Sequence, residues 1–346
     1  LELGTEKVST VVSDEPNGQG DLIKVTITAD QTSVDEATQP SFTVTLNKAL
    51  DKPLTVTLDN GTVLQFAAGE VTKSFEAKAQ GDDVFKDAGK ITVGIEKAEV
   101  AGEQFENLQI STPASVAVTD TDSLVTAQLS VDNTAVNEGG KITYTVTLVS
   151  ADPKLSVTDH KGLTFTLTDG TVVTVKAGES TGSKTVTAPD NVYVNDPVTI
   201  TQELVKVEGK GTEQFEKLEL DTTKVQTTVS DEPGTPGNEG DLVKVTITAD
   251  QTSVDEATQP SFTVTLNKAL DKPLTVTLDN GTVLQFAAGE VTKSFEAKAQ
   301  GDDVFKDAGK ITVGIEKAEV AGEQFENLQI GTPASVAVTD TDSLVT

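Results

Sequence analysis

The sequence predicts an all-β protein made of tandem antiparallel β-sandwiches, and three observations lead to this prediction. Apolar and polar residues alternate with period two over short Val- and Thr-rich runs, which is typical of half-buried strands. Turn signals separate these runs, and none of them has a helical apolar period. The whole pattern also recurs, because residues 21–126 match 241–346 with only two differences. We expect the sandwiches to lie end to end as an elongated rod.

One unit of the pattern contains seven strands, A to G, which indicates a sandwich of the immunoglobulin-like kind. The predicted strands are 22–29, 41–47, 54–58, 62–66, 72–79, 90–98 and 114–119. The run Asp-Asn-Gly at 59–61 predicts a hairpin between C and D, and Ala-Ala-Gly-Glu at 67–70 turns D into E. Because the chain has no Cys and no Trp, aliphatic packing must take over from the disulfide and the tryptophan that usually pin such domains.

The repeats set the predicted domain organisation. A diverged copy of the unit lies between the two near-identical copies, and residues 1–16 resemble 218–233. Since the pattern starts and stops inside a unit, we expect a piece of a longer protein. The predicted divisions are a tail and linker at 1–20, repeat A at 21–122, repeat B at 123–232, a linker at 233–240, a second repeat A at 241–342, and the start of another repeat at 343–346.

Composition excludes several classes of function. The chain has 346 residues and a net charge of −29, every basic residue is a Lys, and the only His is His160. A charge this negative repels nucleic acid and anionic lipid, and no apolar run reaches the roughly 20 residues of a membrane span. No nucleophile–base pair can be assembled around one His, and no Gly-rich phosphate loop is present. We therefore expect no enzyme activity and no small-molecule substrate.

Acidic residues gather at one end of each unit. If strands run alternately up and down, the AB, CD and EF loops and the end of strand G share one pole, which faces the next repeat. Glu36 is in AB, Asp82 and Asp83 are in EF, and Asp120 and Asp122 follow G. Like charges 4 Å apart repel by about 4 kcal/mol at an intermediate dielectric. The acids must therefore be splayed into solvent, as acidic loop ends commonly are, or they surround a cation.

The residue types favour Ca²⁺ over other cations. Ca²⁺ takes about 6–8 oxygen ligands from flexible loops, whereas zinc and copper prefer the Cys and His that this chain lacks or nearly lacks. Repeat B carries Asn191 among its acids, and an amide keeps an oxygen ligand but drops a charge, which predicts a weaker site there. The candidate ligands are Asp14, Glu15, Glu36, Asp82, Asp83, Asp120, Asp122, Glu138, Asp190, Asn191, Asp231, Glu232, Glu256, Asp302, Asp303, Asp340 and Asp342.

Other acids fit a turn as well as a ligand role. Asp59 and Asp87 lie in good turn sequences near the same pole, as does Asp196 in repeat B. At the opposite, near pole, Asp51, Asp152 and Glu70 could complete the site of the preceding repeat, but ordinary turn acids are the simpler reading.

Aromatic residues and the His receive structural interpretations. Phe85 and Tyr193 follow the paired acids at matching positions and are interpreted as core plugs. Phe105 and Phe215 would anchor the FG loop, with solvated acids such as Glu106 beside them. His160 is predicted to be a surface loop residue.

Two resemblances follow from these residues. The runs at 34–46, 66–70 and 74–83 resemble the Calx-β pattern, in which such acids ligate Ca²⁺. The tandem copies and the stretch 172–194 resemble still more the extender repeats of giant RTX adhesins of Gram-negative bacteria, which are exported by type I secretion and hold cells to surfaces, other cells or ice. The resemblance implies an extracellular, monomeric, Ca²⁺-stiffened stalk at the bacterial cell surface, where its partners are neighbouring repeats and its role is in adhesion and biofilm formation.

Two alternative functions are left open. The sandwiches could bind a protein or glycan through their near-pole loops, with avidity from the copies, although these loops are short and poor in Tyr, Trp and Arg. The chain could also be a Calx-β-type calcium sensor, a hypothesis that leaves the near-identical tandem copies unexplained.

Overall fold

The computed structural model describes residues 4–12, 20–232 and 239–341. Within these ranges all regular secondary structure is β-strand, which confirms the all-β prediction. The described residues contain no helix long and apolar enough to cross a membrane. Residues 4–12 are exposed and form neither a helix nor a strand.

Ten strands form in each copy of the pattern. The first copy contains β1 (Leu22–Ala29), β2 (Ser33–Asp35), β3 (Ser41–Leu46), β4 (Leu54–Leu58), β5 (Val63–Phe66), β6 (Thr72–Glu76), β7 (Gly89–Val93), β8 (Ile95–Glu99), β9 (Asn107–Ile110) and β10 (Ala114–Thr119). The middle copy contains β11 (Leu124–Val131), β12 (Ala135–Asn137), β13 (Lys141–Ser150), β14 (Leu163–Leu167), β15 (Val172–Val175), β16 (Thr181–Thr187), β17 (Val198–Gln202), β18 (Leu204–Glu208), β19 (Lys217–Leu220) and β20 (Val225–Ser230). The third copy contains β21 (Leu242–Ala249), β22 (Ser253–Asp255), β23 (Ser261–Leu266), β24 (Leu274–Leu278), β25 (Val283–Phe286), β26 (Thr292–Glu296), β27 (Lys310–Val313), β28 (Ile315–Glu319), β29 (Asn327–Ile330) and β30 (Ala334–Thr339).

The chain divides into two compact units. The first comprises Leu1–Leu129, Thr145–Ser183 and Glu203–Thr223, and the second comprises Ser130–Tyr144, Lys184–Gln202 and Lys224–Thr346. The first unit therefore contains the first repeat together with β14, β15, β18 and β19, whereas the second contains the third repeat together with β12, β17 and β20.

In the first unit, the strands of the first repeat form three hydrogen-bonded sheets. Their orders are β6-β3-β1-β9, β2-β10-β7 and β5-β4-β8. The pairings of this repeat are antiparallel, as predicted, except for two parallel pairings, β1 with β9 and β2 with β10. The physical reason is a break after Ala29, because the chain leaves β1 there and continues as β2 on the other sheet. The third repeat has the same strand order in the second unit.

The core of the first repeat is aliphatic with a few phenylalanines. Alternate residues of β3 and β4 are buried, in keeping with their period-two pattern. Phe42 and Phe66 are fully buried, and the Phe42 ring stacks on Phe75 at 5.7 Å between centroids. Burial of each such side chain contributes about 1.5–3 kcal/mol, so these contacts take the place of the missing disulfide.

A break at Gly94 splits the predicted strand F into β7 and β8. The Gly94 N–H donates to Asp59 Oδ2 at 2.9 Å, and the Asp59 N–H donates to the Gly94 carbonyl at 3.0 Å. A Cβ on Gly94 would lie 2.9 Å from Asp59 Oδ2 and 3.1 Å from Pro113, so a larger residue would displace the Asp59 carboxylate from this close approach. β4 pairs with β8 and not with β7, and the CD turn therefore ends beside the middle of strand F rather than at the acidic pole.

Candidate metal centres

Three carboxylates converge in the first unit. Glu36, Asp87 and Asp120, here acid group one, each offer an oxygen within 4.8 Å of the other two. Strand pairing explains the meeting, because β2 runs parallel to β10 and the Glu36 N–H donates to the Thr119 carbonyl at 3.1 Å. The loop before β7 adds Asp87, whose N–H donates to Asp120 Oδ1 at 2.9 Å. Three separate chain segments thus bring their acids to one point.

Glu36 is the unusual member of acid group one. Its side chain is completely buried, and its Oε2 atom has no hydrogen-bond partner. Burial and, after it, the neighbouring Glu216 carboxyl raise the pKa of Glu36 from 4.5 to about 7. A buried carboxylate oxygen without a donor costs free energy, and a bound cation would satisfy it.

Glu216 comes from the Glu-Gln-Phe-Glu run before β19 and closes group one from the side of the following repeat. Its Oε2 accepts the Ser123 N–H at 2.6 Å and the Thr121 hydroxyl at 3.1 Å. β19 pairs in parallel with β11, with Lys217 opposite Leu124, and this register places Glu216 beside Ser123. Its Oε1 is buried and has no hydrogen-bond partner.

The other predicted acids of the first repeat surround this group. The Thr121 hydroxyl donates to Asp82 Oδ1 at 2.9 Å, and the Asp83 N–H lies 3.5 Å from Glu36 Oε1. Burial and the nearby acids raise the pKa of Asp83. Asp122 lines the same depression as Asp120 and Glu216. The structure thus places all five predicted acids of the first repeat at this pole.

A second cluster lies in the second unit. Acid group two consists of Glu138, Asp231 and Glu326, with one oxygen of each within 4.8 Å of the others. Burial and then the Asp231 carboxyl raise the pKa of Glu138 to about 7. Glu326 Oε2 accepts the Asp241 N–H at 2.7 Å, and burial raises the pKa of Glu326. Glu326 occupies the same position in the third repeat as Glu216 does in the middle one.

Amides replace two carboxylates around acid group two. Asn191 and Asn195 stand where the first repeat has Asp83 and Asp87. The Asn191 N–H and amide both donate to Glu138 Oε2 at 2.8 Å, and the Asn195 N–H donates to Asp231 Oδ2 at 2.7 Å. These hydrogen bonds stabilise the Glu138 and Asp231 carboxylates, and the two Asp-to-Asn differences lower the negative charge available to a cation.

The remaining predicted acids of repeat B sit beside acid group two. Glu232 Oε2 is buried without a partner, and its charge contributes to the raised pKa of Glu326. Asp190 is exposed and lies against Gly139, 3.6 Å from the position that a Cβ would take there.

The third repeat repeats the geometry of the first. Acid group three consists of Glu256, Asp307 and Asp340, again within 4.8 Å. Glu256 is 1% exposed, and its Oε2 has no partner. The Thr341 hydroxyl donates to Asp302 Oδ1 at 2.5 Å, and Asp303 Oδ1 accepts the Phe305 N–H at 2.7 Å. The predicted residues Asp14, Glu15 and Asp342 lie outside the residues that the structure describes.

The three groups suit a hard cation. Each group offers only carboxylate oxygens, the ligand type that Ca²⁺ prefers. Glu36 and Glu256 each aim a buried, unpartnered oxygen into their group. The residues present therefore fit a divalent cation with oxygen preference.

Several expectations about other acids need correction or refinement. Asp59 does not face the acidic pole, since its carboxylate is held by Gly94. Glu70 accepts the Ala67 N–H at 2.8 Å, and this bond lowers its pKa; Asp152 accepts the Lys154 N–H at 2.9 Å. Both are turn acids in this structure. Asp196 lines a depression shared with Glu138 and Asp231.

Sequence reasoning missed Glu216, Glu326, Asn195 and Asp307. A signal for the two glutamates was present, since Glu-Gln-Phe-Glu occurs in every copy and the strand count puts the FG loop at the pole that faces the preceding repeat. The strand that orients them, β19 or β29, was not predicted. Glu106 is exposed, whereas Glu216 and Glu326, at the matching positions of the other two repeats, are half-buried.

Aromatic contacts accompany two of the acid groups. The Lys86 N–H donates to the Gln214 carbonyl at 2.7 Å, the Glu216 N–H donates to the Val84 carbonyl at 2.9 Å, and the Phe85 and Phe215 rings lie 5.0 Å apart. In the second unit Tyr193 and Phe325 form the same kind of bridge at 5.6 Å.

Tyr193 is therefore a plug, but it belongs to the core of the following repeat rather than to its own. Together with Val192 it packs into the cluster that contains Val243 and Phe286.

The prediction of a surface position for His160 is wrong. Its side chain is 3% exposed, and its ring lies 5.8 Å from the Phe215 ring. Nδ1 accepts the Gly162 N–H at 3.0 Å, and Nε2 lies 2.8 Å from the Glu179 carbonyl. Burial follows because the extra stretch before β14 folds over Phe215.

Several solved structures resemble this chain at low sequence identity. An Escherichia coli adhesin, FdeC, is 16% identical, with 91% of this chain and 96% of that chain covered and a TM-score of 0.22. The CBD12 fragment of CALX1.2 is 10% identical, with 62% and 99% covered and a TM-score of 0.23. The Yersinia pseudotuberculosis adhesin InvE is 15% identical, with 78% and 72% covered and a TM-score of 0.24. Scores this low support no conclusion about function.

No curated protein matches the chain in sequence. A family profile, in contrast, matches it three times. The LapA domain profile matches residues 21–121, 125–232 and 241–341, which together make up most of the sequence. LapA is a large adhesin. The chain therefore belongs to the LapA domain family and contains three successive copies of that adhesin repeat.

Proposed function

We propose that the chain is an extender segment of a bacterial cell-surface adhesin, in which Ca²⁺ braces the contact between one repeat and the next. The observation that carries this proposal is the pairing of Glu36 with Glu216. Two carboxyls from successive repeats, one of them fully buried with an unpartnered oxygen, lie side by side. Such an arrangement is unfavourable unless a proton or a cation neutralises it.

Without a cation, the acids of each group repel one another. Around group one the acids are Glu36, Asp82, Asp83, Asp87, Asp120, Asp122 and Glu216. They come from the ends of β2 and β10, from the loop before β7 and from the segment before β19, so their repulsion pushes these segments apart. Bound Ca²⁺ would supply charge neutralisation and oxygen coordination. Glu36, Asp87, Asp120 and Glu216 would hold it, with Glu138, Asp231 and Glu326 in group two.

The stiffening follows from where the ligands come from. Glu216 belongs to the middle repeat, and Glu36, Asp87 and Asp120 belong to the first. When these residues share one neutralised site, the loops of the first repeat and the FG segment of the middle repeat lose freedom relative to each other. In this proposal the repeats lie end to end as a rod with the boundaries 21–122, 123–232 and 241–342. The chain acts as a monomeric spacer without enzyme activity, membrane insertion or nucleic-acid binding.

The resemblance to RTX adhesins adds a biological setting to the proposal. The segment would be exported by type I secretion, would stand outside the cell and would project a distal ligand-binding region for adhesion and biofilm formation. Its partners in this setting are neighbouring repeats of the same chain.

The experiment is a Ca²⁺ titration of the EDTA-treated chain, followed by small-angle scattering and calorimetry. We expect the maximum dimension and the melting temperature to rise together. At about a hundredfold excess over Kd, one site stabilises the fold by about 2.7 kcal/mol. Mg²⁺ at the same concentration should do less, because it demands stricter octahedral geometry.

A matched pair of variants separates specific binding from general charge screening. Glu36→Gln, Glu138→Gln and Glu256→Gln together should abolish the response. Glu96→Gln, Glu179→Gln and Glu316→Gln remove the same charge from exposed positions and should leave it intact. If the unmodified chain shows no change in dimension or melting up to millimolar Ca²⁺, the proposal fails.

A further inference from the structure

The near pole of the first repeat has an open groove. Its lining includes Ile23, Leu50, Lys52, Val100 and Phe105, and its volume is about 490 Å³. Apolar side chains form the floor, and the Lys52–Glu103 ion pair lies at the rim. Grooves of this kind bind a ligand when an apolar side chain of the right shape can enter.

The same groove is filled in the third repeat. There Val192 and Tyr193, from the loop before β17, pack into the apolar cluster of residues 243–336. Leu270, at the position of Leu50, is 4% exposed, whereas Leu50 is only half-buried. The two grooves have almost the same sequence. The greater burial of Leu270 therefore comes from Val192 and Tyr193, which occupy the groove of the third repeat.

Backbone hydrogen bonds fix the occupant in place. The Val194 N–H donates to the Gln324 carbonyl at 2.8 Å, and the Glu326 N–H donates to the Val192 carbonyl at 3.1 Å. The Asn191 and Asn195 side chains shape the loop, since Asn191 Oδ1 accepts the Tyr193 N–H at 2.8 Å and the Asn195 amide at 2.9 Å. The loop thus presents a preformed Val-Tyr pair.

The groove of the third repeat carries features that suit tyrosine. The Lys272 ammonium lies 5.0 Å from the centre of the Tyr193 ring, a favourable cation–π distance. Asp271 lies beside the phenol, and burial together with this carboxylate raises the pKa of Tyr193 to about 12. Asp51 and Lys52 stand at the same positions in the first repeat.

The other junction uses a different pair of partners. Phe85 meets Phe215 in a groove where His160 lies 5.8 Å from the Phe215 ring. Repeat A therefore presents Val-Phe, which enters the groove of repeat B, and repeat B presents Val-Tyr, which enters the groove of repeat A. The Val-Phe pair of the third repeat, by comparison, is open, with Val304 58% and Phe305 70% exposed, whereas Val84 is fully buried.

We propose that the groove of the first repeat is a recognition site for the Asp-Asn-Val-Tyr-Val loop of a B-type repeat, whose tyrosine it selects with Asp51 and Lys52. The groove of the first repeat is separate from the cation groups, because Glu106 at its edge belongs to none of the three acid groups. Its test can therefore be run in EDTA, where a failure of the cation proposal has no effect on the result.

The test is disulfide capture, for which the chain is well suited because it contains no Cys. The probe is a synthetic peptide with the sequence of residues 188–196 and Cys at the position of Val194. Val194 faces Gln324 in the filled groove, so Gln104→Cys in the full chain places a thiol at the matching position of the open groove. Capture is measured by mass spectrometry at fixed glutathione ratio.

We expect at least tenfold more capture by Gln104→Cys than by Gln324→Cys, whose groove is already occupied. A peptide with Ala in place of Tyr should lose this excess, and Leu50→Asp added to Gln104→Cys should abolish it. Val192→Ala with Tyr193→Ala should open the third groove and raise capture at Gln324→Cys. Equal capture at both cysteines in the otherwise unchanged chain, or equal capture of the Tyr and Ala peptides, would overturn the proposal.

Discussion

The Ser123 backbone N–H donates a 2.6 Å hydrogen bond to the Glu216 carboxylate. The same bond joins Asp21 to Glu106 at 2.7 Å and Asp241 to Glu326 at 2.7 Å. Every copy thus ties the first residue of its sandwich to the last glutamate of its Glu-Gln-Phe-Glu run. In two of them, that glutamate also lies against the acids of the preceding repeat.

The first prediction concerns Glu216→Gln. The change removes a carboxylate from acid group one while its carbonyl oxygen can still accept the Ser123 N–H. We expect the affinity of this group for Ca²⁺ to fall by roughly tenfold or more, and the melting temperature in EDTA to rise because repulsion is reduced. Isothermal titration calorimetry and differential scanning calorimetry measure the two effects.

Glu106→Gln is the matched control, because it makes the same change in the first repeat, where Glu106 is exposed and belongs to none of the three acid groups. The prediction is wrong if both variants bind Ca²⁺ equally well.

The second prediction concerns pH. The pKa of Glu36 and that of Glu138 are both raised from 4.5 to about 7, so the folded chain binds these protons more tightly than the unfolded chain. Lowering the pH from 8 through 7 therefore stabilises the fold, and the gain is complete near pH 4.5. In EDTA we expect a higher melting temperature at pH 5.5 than at pH 8.

Two controls define this effect. Glu36→Gln with Glu138→Gln should flatten the pH dependence, since no titrating carboxyl is left at these positions. Saturating Ca²⁺ should reverse the pH trend, because protons compete with the cation. A melting temperature in EDTA that falls steadily from pH 8 to pH 5.5 would contradict the prediction.

The third prediction concerns the amides around acid group two. Asn191→Asp replaces a hydrogen-bond donor to Glu138 with a carboxylate. We expect Ca²⁺ affinity at this group to increase on the order of tenfold and the stability in EDTA to fall. The reciprocal change, Asp83→Asn, should weaken group one and stabilise the cation-free chain. If the two changes move affinity in the same direction, the charge argument is wrong.

The fourth prediction concerns Asp59, which holds the break in strand F. Asp59→Ala leaves the Gly94 N–H without its carboxylate partner and should cost about 1–3 kcal/mol, measured by urea unfolding. Ca²⁺ affinity should stay unchanged, since Asp59 lies away from the acidic pole. Asp279→Ala repeats the experiment at the 2.9 Å Asp279–Gly314 bond. A loss of Ca²⁺ binding in either variant would contradict this prediction and would indicate that the CD turn contributes to the acidic pole.

Much of the fold could be predicted because a strand with one buried face needs apolar residues at every second position, and this pattern is visible in the sequence. Six of the seven predicted strands appear with nearly the expected bounds, and Glu36 and Asp120 meet as the strand count requires. The count failed where a strand changes sheets, at Ala29 and Gly94. Such breaks depend on long-range contacts such as Asp59 with Gly94, and no local pattern marks them.

The site was harder to predict than the fold. Glu216 belongs to a different repeat from the acids it joins, and β19, which aims it, is a parallel strand of only four residues, too short for its alternating Lys-Leu-Glu-Leu pattern to mark it as a strand. His160 has no other His and no Cys to act with, and its burial depends on the distant Phe215 ring and the Glu179 carbonyl as well as on Gly162. Polar residues of this kind take their role from tertiary neighbours.

The position of Glu216 has a consequence for how such a protein can change its length over evolution. Its group is assembled from the AB loop, the loop before β7 and the end of β10 in one copy, and from the segment before β19 in the next copy, so the seam between copies is itself the unit that is inherited. Recombination between near-identical stretches such as 21–126 and 241–346, which lie 220 residues apart, can insert or delete one A-type and one B-type repeat together and still leave every seam intact. Chain length can thus vary in steps while the chemistry at each step stays the same.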